Sequence, residues 1–375
     1  MMLVNQITKS VLSTLLIGQC ALAQVKTNNP LKSYLDSVVD KGATAYMATP
    51  GTVGLAIGIY RNGVSHFYSY GESKKGTRQL IRADQYFNLG SVAKTYVGTM
   101  LAEAVIEKKA NLNDDIRKYL PGNYPNLAYN GHPVRLVDIA NHTSGMPPSP
   151  RNFPAWVMDS LAKLPLSRQI TFYSTYNQDS LLKDMHHFKI DTIPGTKYRY
   201  NGNAMMVLTL LLEHIYNQPY EQLVTHYLKT HLQLYDTRTQ VPAGEFNRFV
   251  QGYDAHGVPQ RYVNTKMFYG GPSMNSTMND MLQYLKVNVE ENDPAIVLTH
   301  QVTWGNPKDF ALGLNWMLDL ENGKKDYYHA GHTGIGFNTL CEFYPEEHLG
   351  IMIVVNDNIS QDKLSALENA IKKNL

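Results

Sequence analysis

Strand-forming sequence lies at both ends of this 375-residue chain and helix-forming sequence lies between them, and that distribution constrains the fold more than any other feature. Val53–Tyr60 is a continuous apolar run of strand length, Arg61-Asn62-Gly63 carries hairpin-turn chemistry, and Val64–Tyr70 returns as a partner strand. Strand character comes back only late, over Tyr327–His329, Phe337–Tyr344 and Leu349–Val355. Helical patterns cover Pro30–Met47, where Leu31, Tyr34, Leu35, Val38 and Val39 share a face, then Asn203–Tyr216, Met278–Val289 behind the cap region Asn275-Ser276-Thr277, and the amphipathic Ser360–Asn374. The expected architecture is α+β: one antiparallel sheet built from both chain ends, flanked by helices, with a helical lobe inserted in the middle. The first lobe takes about 30–90 plus 310–375 and the helical lobe about 91–309. A site is expected where the two meet.

Composition narrows the setting. Lys9 precedes the apolar run Val11–Ile17, and Ala21-Leu22-Ala23 has the small-x-small pattern of a cleavage site, so residues 1–23 are expected to be a secretory signal removed after Ala23. The run is too short to span a bilayer, and Gln19 before Cys20 departs from a lipid-attachment pattern. The expectation is a periplasmic or secreted chain, 24–375, forming a single catalytic domain without a transmembrane anchor. It keeps one cysteine, Cys341, so no intramolecular disulfide is expected and stability must come from a packed core. A net charge of +2 is too small to indicate nucleic acid or an anionic membrane as partner. No paired-cysteine metal spacing occurs, and the adjacent His186-His187 do not share a helix face, so no metal site is expected.

Ser91-Val92-Ala93-Lys94 places a hydroxyl and an amine on one face of a helix start. A serine hydroxyl is a weak nucleophile, and a partly buried lysine with a lowered pKa is a base that can take its proton. The spacing recurs at Ser160–Lys163, Ser180–Lys183 and Ser360–Lys363, so spacing alone selects nothing. Context favours Ser91: Leu89-Gly90 turns the chain into the helix, and Val97, Met100, Leu101, Ala104 and Val105 follow with the period of a buried face. The plainer reading, a helix start with a solvated lysine, stands beside it.

Further segments fall in a fixed order: Asn141-His142-Thr143-Ser144-Gly145, Pro194–Tyr200 before the Asn203 helix, Gly270–Thr277 before the Met278 helix, Gly313-Leu314-Asn315-Trp316, and His329-Ala330-Gly331-His332. This ordered set resembles the penicillin-recognising serine hydrolases of the class C β-lactamase and penicillin-binding-protein type, from about Val53 to Asn356. Tyr129–Pro133 and the stretch after it are most similar to the AmpH-type D-alanyl-D-alanine carboxypeptidase/endopeptidases. The resemblance implies the DD-peptidase/β-lactamase-like fold and acyl transfer without metal or organic cofactor. It implies Ser91 as nucleophile and Lys94 and Tyr200 as the proton-transfer pair, either of which would be the acceptor. His329 and Gly331 would belong to a strand edge that binds extended substrate, and the backbone N–H groups of Ser91 and His332 would form the oxyanion hole.

Two departures stand out. Gly202 occupies the place of a family asparagine, leaving Asn201 or Asn203 to reach substrate, and His329 replaces a lysine. Peptidoglycan stem peptides or β-lactams are the implied ligands, with weak or no β-lactamase activity; an esterase or D-amino-acid amidase of the same fold and a non-hydrolytic binding protein are the rivals. The insert from Pro148 to about Thr192, with Phe153, Trp156, Phe172, Tyr173 and Tyr176, suits a lid or a partner surface.

Overall fold

The computed structural model describes residues 25–148, 155–164, 168–169, 172, 176–262 and 273–375. The expected export segment 1–23, Phe153, Tyr173 and Gly270-Gly271-Pro272 lie outside them. Eight strands form one sheet: β1 (Gly54–Arg61), β2 (Val64–Gly71), β3 (Trp304–Asn306), β4 (Phe310–Gly313), β5 (Trp316–Glu321), β6 (Lys324–Thr333), β7 (Phe337–Tyr344) and β8 (Leu349–Val355). Their order is β2-β1-β8-β7-β6-β5-β4-β3, antiparallel throughout. The two chain ends are therefore joined at β1–β8, where Ile57 faces Ile353 in the ladder.

The expected hairpin forms because Asn62 (φ +49°) and Gly63 (φ +86°) both accept the left-handed backbone that a two-residue turn requires. Strand alternation then sorts side chains between two cores. Leu55, Ile57, Ile59, Ile351, Ile353 and Val355 face helices α1 (Tyr34–Met47) and α10 (Gln361–Lys372), whose Val39, Ala43, Leu364 and Ile371 cover them. Ala56, Tyr60, Cys341, Met352 and Val354 face the helical part of the chain. That part contributes α2 (Ala93–Ile106), α3 (Leu136–Ala140), α4 (Ala155–Ala162), α5 (Gln178–Met185), α6 (Gly202–Tyr216), α7 (Tyr220–Thr230), α8 (Met278–Glu290) and α9 (Pro294–Thr299). Among the described residues no helix is long and apolar enough to cross a membrane.

The structure corrects several boundaries. Helix α1 starts at Tyr34 behind the capping box of Ser33 and Asp36, leaving Leu31 outside the helix at φ +51° and 55% exposed. Its inward face is Leu35, Val39, Ala43 and Tyr46, whereas Tyr34 points to solvent. Strand β6 runs over ten residues rather than three. The serine of Ser91–Lys94 sits in a one-turn 3-10 segment, Gly90–Val92, and α2 behind it is buried nearly all round, so it is a core helix rather than a one-faced one. Of the aromatic insert, Trp156 is exposed, while Tyr176 packs on the core and donates to Asp184 at 2.9 Å.

Under α10 the sheet carries a carboxyl cluster. The Tyr344 hydroxyl lies 2.8 Å from Glu342 Oε1 and 3.1 Å from Glu368 Oε1, with Asp326 beside Glu342. Burial, then the Glu342 carboxylate, holds Glu368 above the usual carboxylate range. An acid whose folded pKa is raised stabilises the fold in its protonated form, fully below the unfolded value near 4.5 and progressively less as pH rises. Denaturant titrations of wild type and Glu368→Gln at mildly acidic and mildly alkaline pH are expected to show wild type losing stability relative to the variant as pH rises. A constant difference would show that Glu368 does not hold a proton in the fold.

Candidate active site

The site grows from two backbones in contact. Gly90 has φ +55°, and a Cβ there would lie 2.8 Å from His332 N and 3.0 Å from His332 O. On the opposing strand, a Cβ on Gly331 would lie 2.2 Å from Leu89 O, 2.3 Å from Thr339 Oγ1 and 3.1 Å from Ser91 N. Only glycine fits at either position. The turn is tied down by Thr339 Oγ1, which donates to Leu89 O at 2.9 Å, by Leu89 N–H to Met274 O at 2.9 Å, and by Gly90 N–H to Asn88 Oδ1 at 3.0 Å. The backbone nitrogen of His332 is thereby set beside Gly90, and that of Ser91 beside Gly331. The pairing of β6 with β5 ends at Tyr328, whereas its pairing with β7 continues to Thr333, so His329–Thr333 presents an edge unpaired on the side of β5.

Lys94 Nζ donates to Ser91 Oγ at 2.9 Å. Lys94 is 7% exposed, and burial lowers its pKa to about 8. An amine so placed is neutral in a substantial fraction of molecules near pH 8 and is able to accept the serine proton. The Tyr200 ring lies 5.4 Å from Lys94 Nζ. Tyr200 is 43% exposed because it walls an open cleft, yet its hydroxyl is the deep end and bonds Ser91. Burial raises it to about 12, opposed by that bond. At neutral pH it is a phenol, a donor rather than a phenolate base.

Two histidines flank this group. His329 is 1% exposed; its Nδ1 lies 2.8 Å from Ala330 O, and since a carbonyl only accepts, Nδ1 carries the proton. Burial, then the Lys94 charge, lowers it to about 4, so it is neutral at pH 7 and offers no fixed cation. Its Nε2 has no partner among the described residues. His142 is buried as well, with its ring 4.5 Å from that of Tyr200.

The cleft above Ser91 measures about 560 Å³ and is bounded by Tyr198, Tyr200, Met317, His329–His332, Asn338 and the 358–361 segment. Ser91, Lys94, Tyr200, His329, Gly331 and His332 are thus gathered in one place. Asn203 is not with them. It is fully buried at the start of α6, donating to Pro147 O at 3.1 Å, because the Met146-Pro147 segment folds over the helix start. Asn201 caps the same helix, accepting from Ala204 N–H at 3.2 Å and donating to Met146 O at 2.9 Å. Neither lines the cleft. Sequence reasoning missed three further residues of the lining, Asn338 in β7, Asn358 just after β8 and Gln361 at the start of α10.

Residues 39–374 match the family described as Beta-lactamase. A beta-lactamase of Lysobacter lactamgenus is 26% identical, covering 97% of each chain. The D-alanyl-D-alanine-carboxypeptidase/endopeptidase AmpH of Escherichia coli (strain K12) is 24% identical, covering 92% of this chain and 91% of its own. Among solved structures, a beta-lactamase/D-alanine carboxypeptidase from Pseudomonas syringae superposes with TM-score 0.74 at 20% identity, covering 91% of this chain and 99% of its own. A class C beta-lactamase in complex with cefoxitin superposes with TM-score 0.76 at 19% identity, covering 91% and 99%.

Gly331→Ala is expected to force β6 away from the Ser91 turn and to reduce turnover by about a hundredfold or more, the scale of misplacing reacting groups by an ångström. Steady-state kinetics alongside circular dichroism checks this; a folded variant with near-normal turnover would show that the close approach is not needed.

Proposed function

The chain belongs to the beta-lactamase family and is a serine hydrolase, and we propose that it works through an acyl-enzyme on Ser91, with D-Ala-containing peptidoglycan peptides as its substrate class. The observation that carries the reading is the 2.9 Å contact between Ser91 Oγ and a buried Lys94 beside an unpaired strand edge. An extended peptide can add to His329–Thr333 as a further strand, its main chain supplying hydrogen bonds and its carbonyl falling between Ser91 and His332. Neutral Lys94 takes the hydroxyl proton as Ser91 Oγ bonds the carbonyl carbon. The N–H groups of Ser91 and His332 hold the oxyanion. The leaving amine departs with a proton passed from Lys94 through the Tyr200 phenol, and water then cleaves the ester by the reverse route. Assigning the acceptor role to Lys94 rests on its lowered pKa and the raised pKa of Tyr200. The export segment expected over 1–23 supports a periplasmic or secreted location.

A second reading, an esterase or amidase of the same fold, is favoured by one observation. His329 is neutral, and none of the described residues lining the cleft is a lysine or arginine. A free substrate carboxylate therefore meets no permanent charge there. The same feature supports internal peptide bonds over C-terminal ones, and weak β-lactamase activity.

Intact-protein mass after incubation with a penicillin is expected to show one adduct that disappears in Ser91→Ala. Hydrolysis of short esters without adduct or D-Ala–D-Ala cleavage would move the assignment to the second reading. Acylation rate is expected to rise with pH through an apparent pKa near 8, as Lys94 loses its proton. A rate flat across that range would remove Lys94 as the base.

A further inference from the structure

His142 belongs to none of the groups assigned above, yet the peptide on either side of Tyr200 ends on it. It follows the C-cap of α3, Asn141, with φ +56°, a left-handed backbone that His, with Asn and Asp, adopts more readily than other non-glycine residues. The N–H of Arg199, just before Tyr200, donates to the His142 carbonyl at 2.9 Å. The N–H of Asn201, just after it, donates to His142 Nδ1 at 3.2 Å. The two rings then meet with centroids 4.5 Å apart. One residue thus grips the main chain before and after Tyr200 and supports one side of its ring. Because Nδ1 accepts, the neutral imidazole carries its proton on Nε2, which is buried and has no partner among the described residues. Burial, then the charges of Lys94 and His329, pushes the ring's pKa down to about 3, so it stays in this neutral form.

We propose that His142 is a positioning residue for Tyr200: the Asn201 N–H···Nδ1 bond and the ring contact hold the phenol hydroxyl at Ser91. This rests on the acyl-transfer reading of Ser91, Lys94 and Tyr200. Tyr200 lies in the loop just before the N-cap of α6 and is 43% exposed to the cleft it lines, so packing from the solvent side does not fix it; His142 supplies the restraint from behind. The left-handed backbone is the conformation that aims Nδ1 at Asn201 while the carbonyl of the same residue faces Arg199.

The test separates the acceptor from the bulk of the ring. His142→Asn keeps an acceptor at the place of Nδ1 and tolerates a left-handed backbone; His142→Gln keeps size and polarity but moves the acceptor one bond further out. Turnover of p-nitrophenyl acetate is measured for both, with thermal melting as the folding control. In parallel, 3-fluorotyrosine at position 200 is followed by fluorine NMR, which reports the phenol's surroundings whether or not the protein turns over. The Gln variant is expected to lose about 10- to 100-fold in kcat with KM within about threefold, and the Asn variant to stay within about fivefold of wild type. The fluorine resonance should shift or broaden in the Gln variant and not in the Asn variant. Equal kcat in the two variants, or a fluorine resonance unmoved in the Gln variant, overturns the proposal. A wild type without Ser91-dependent turnover, but with the resonance moved in the Gln variant, removes the acyl-transfer reading and leaves the His142 contact standing.

Discussion

The van der Waals contact between the Gly90 turn and the Gly331 strand governs the rest of this molecule. With main chain against main chain, the spacing between Ser91 and the edge of β6 is fixed by atoms that have no rotamers. The two donors proposed for the substrate carbonyl, the N–H groups of Ser91 and His332, are likewise main-chain groups. The His332 side chain is correspondingly free for other uses: it is exposed, and its Nδ1 pairs with Asn338 Oδ1 at 2.7 Å. Besides the local tie from Asn88, Thr339 and Met274 hold the turn from two distant parts of the chain, so the geometry at Ser91 depends on the fold as well as on the local sequence.

Burial without countercharge is the second theme. On the cleft side of the sheet Lys94, His142 and His329 are all driven toward their neutral forms, first by desolvation; the two histidines are driven further by the Lys94 charge. On the α10 side, Asp326, Glu342 and Glu368 are driven toward theirs by desolvation, Asp326 and Glu368 further by Glu342. The same sheet separates a group of bases with lowered pKa values from a group of acids with raised ones. Of the first, Lys94 alone is left with a pKa near enough to neutrality for general-base chemistry; the second ties helix α10 to the sheet through hydrogen bonds that need a proton.

The strands legible in the sequence were those whose signals are local. Phe337–Tyr344 and Leu349–Val355 are apolar runs bounded by turns and match the structure residue for residue, and Asn62-Gly63 announces its own hairpin. Trp304–Asn306, Phe310–Gly313 and Trp316–Glu321 carry too little alternation over too few residues; pairing with a neighbour makes them strands. The expected span Tyr327–His329 stopped short of Gly331, where glycine is present because Leu89 O leaves no room for a side chain. Motif order pointed to Ser91, Lys94 and Tyr200, which the structure brings together, whereas spacing alone offered four serine–lysine pairs: Ser160 turns out to bond Trp156 O within its helix, and Ser360 caps α10. The burial of Asn203 depends on Pro147, 56 residues away, which no local pattern carries.

The ladder between β1 and β8 joins residue 55 to residue 355, nearly the full span of the described chain. Until the last strand is available, the β1–β2 hairpin has an open edge along β1, and its apolar face, Leu55, Ile57 and Ile59, has α1 but not α10 to cover it. The wall of the cleft, β6, also comes from the final fifty-odd residues. Closing so long a loop makes assembly slow by the measure of sequence separation, and it makes hydrolytic competence all-or-none during synthesis. A chain lacking its last thirty residues is left with an inert, adhesive intermediate rather than a weakened enzyme.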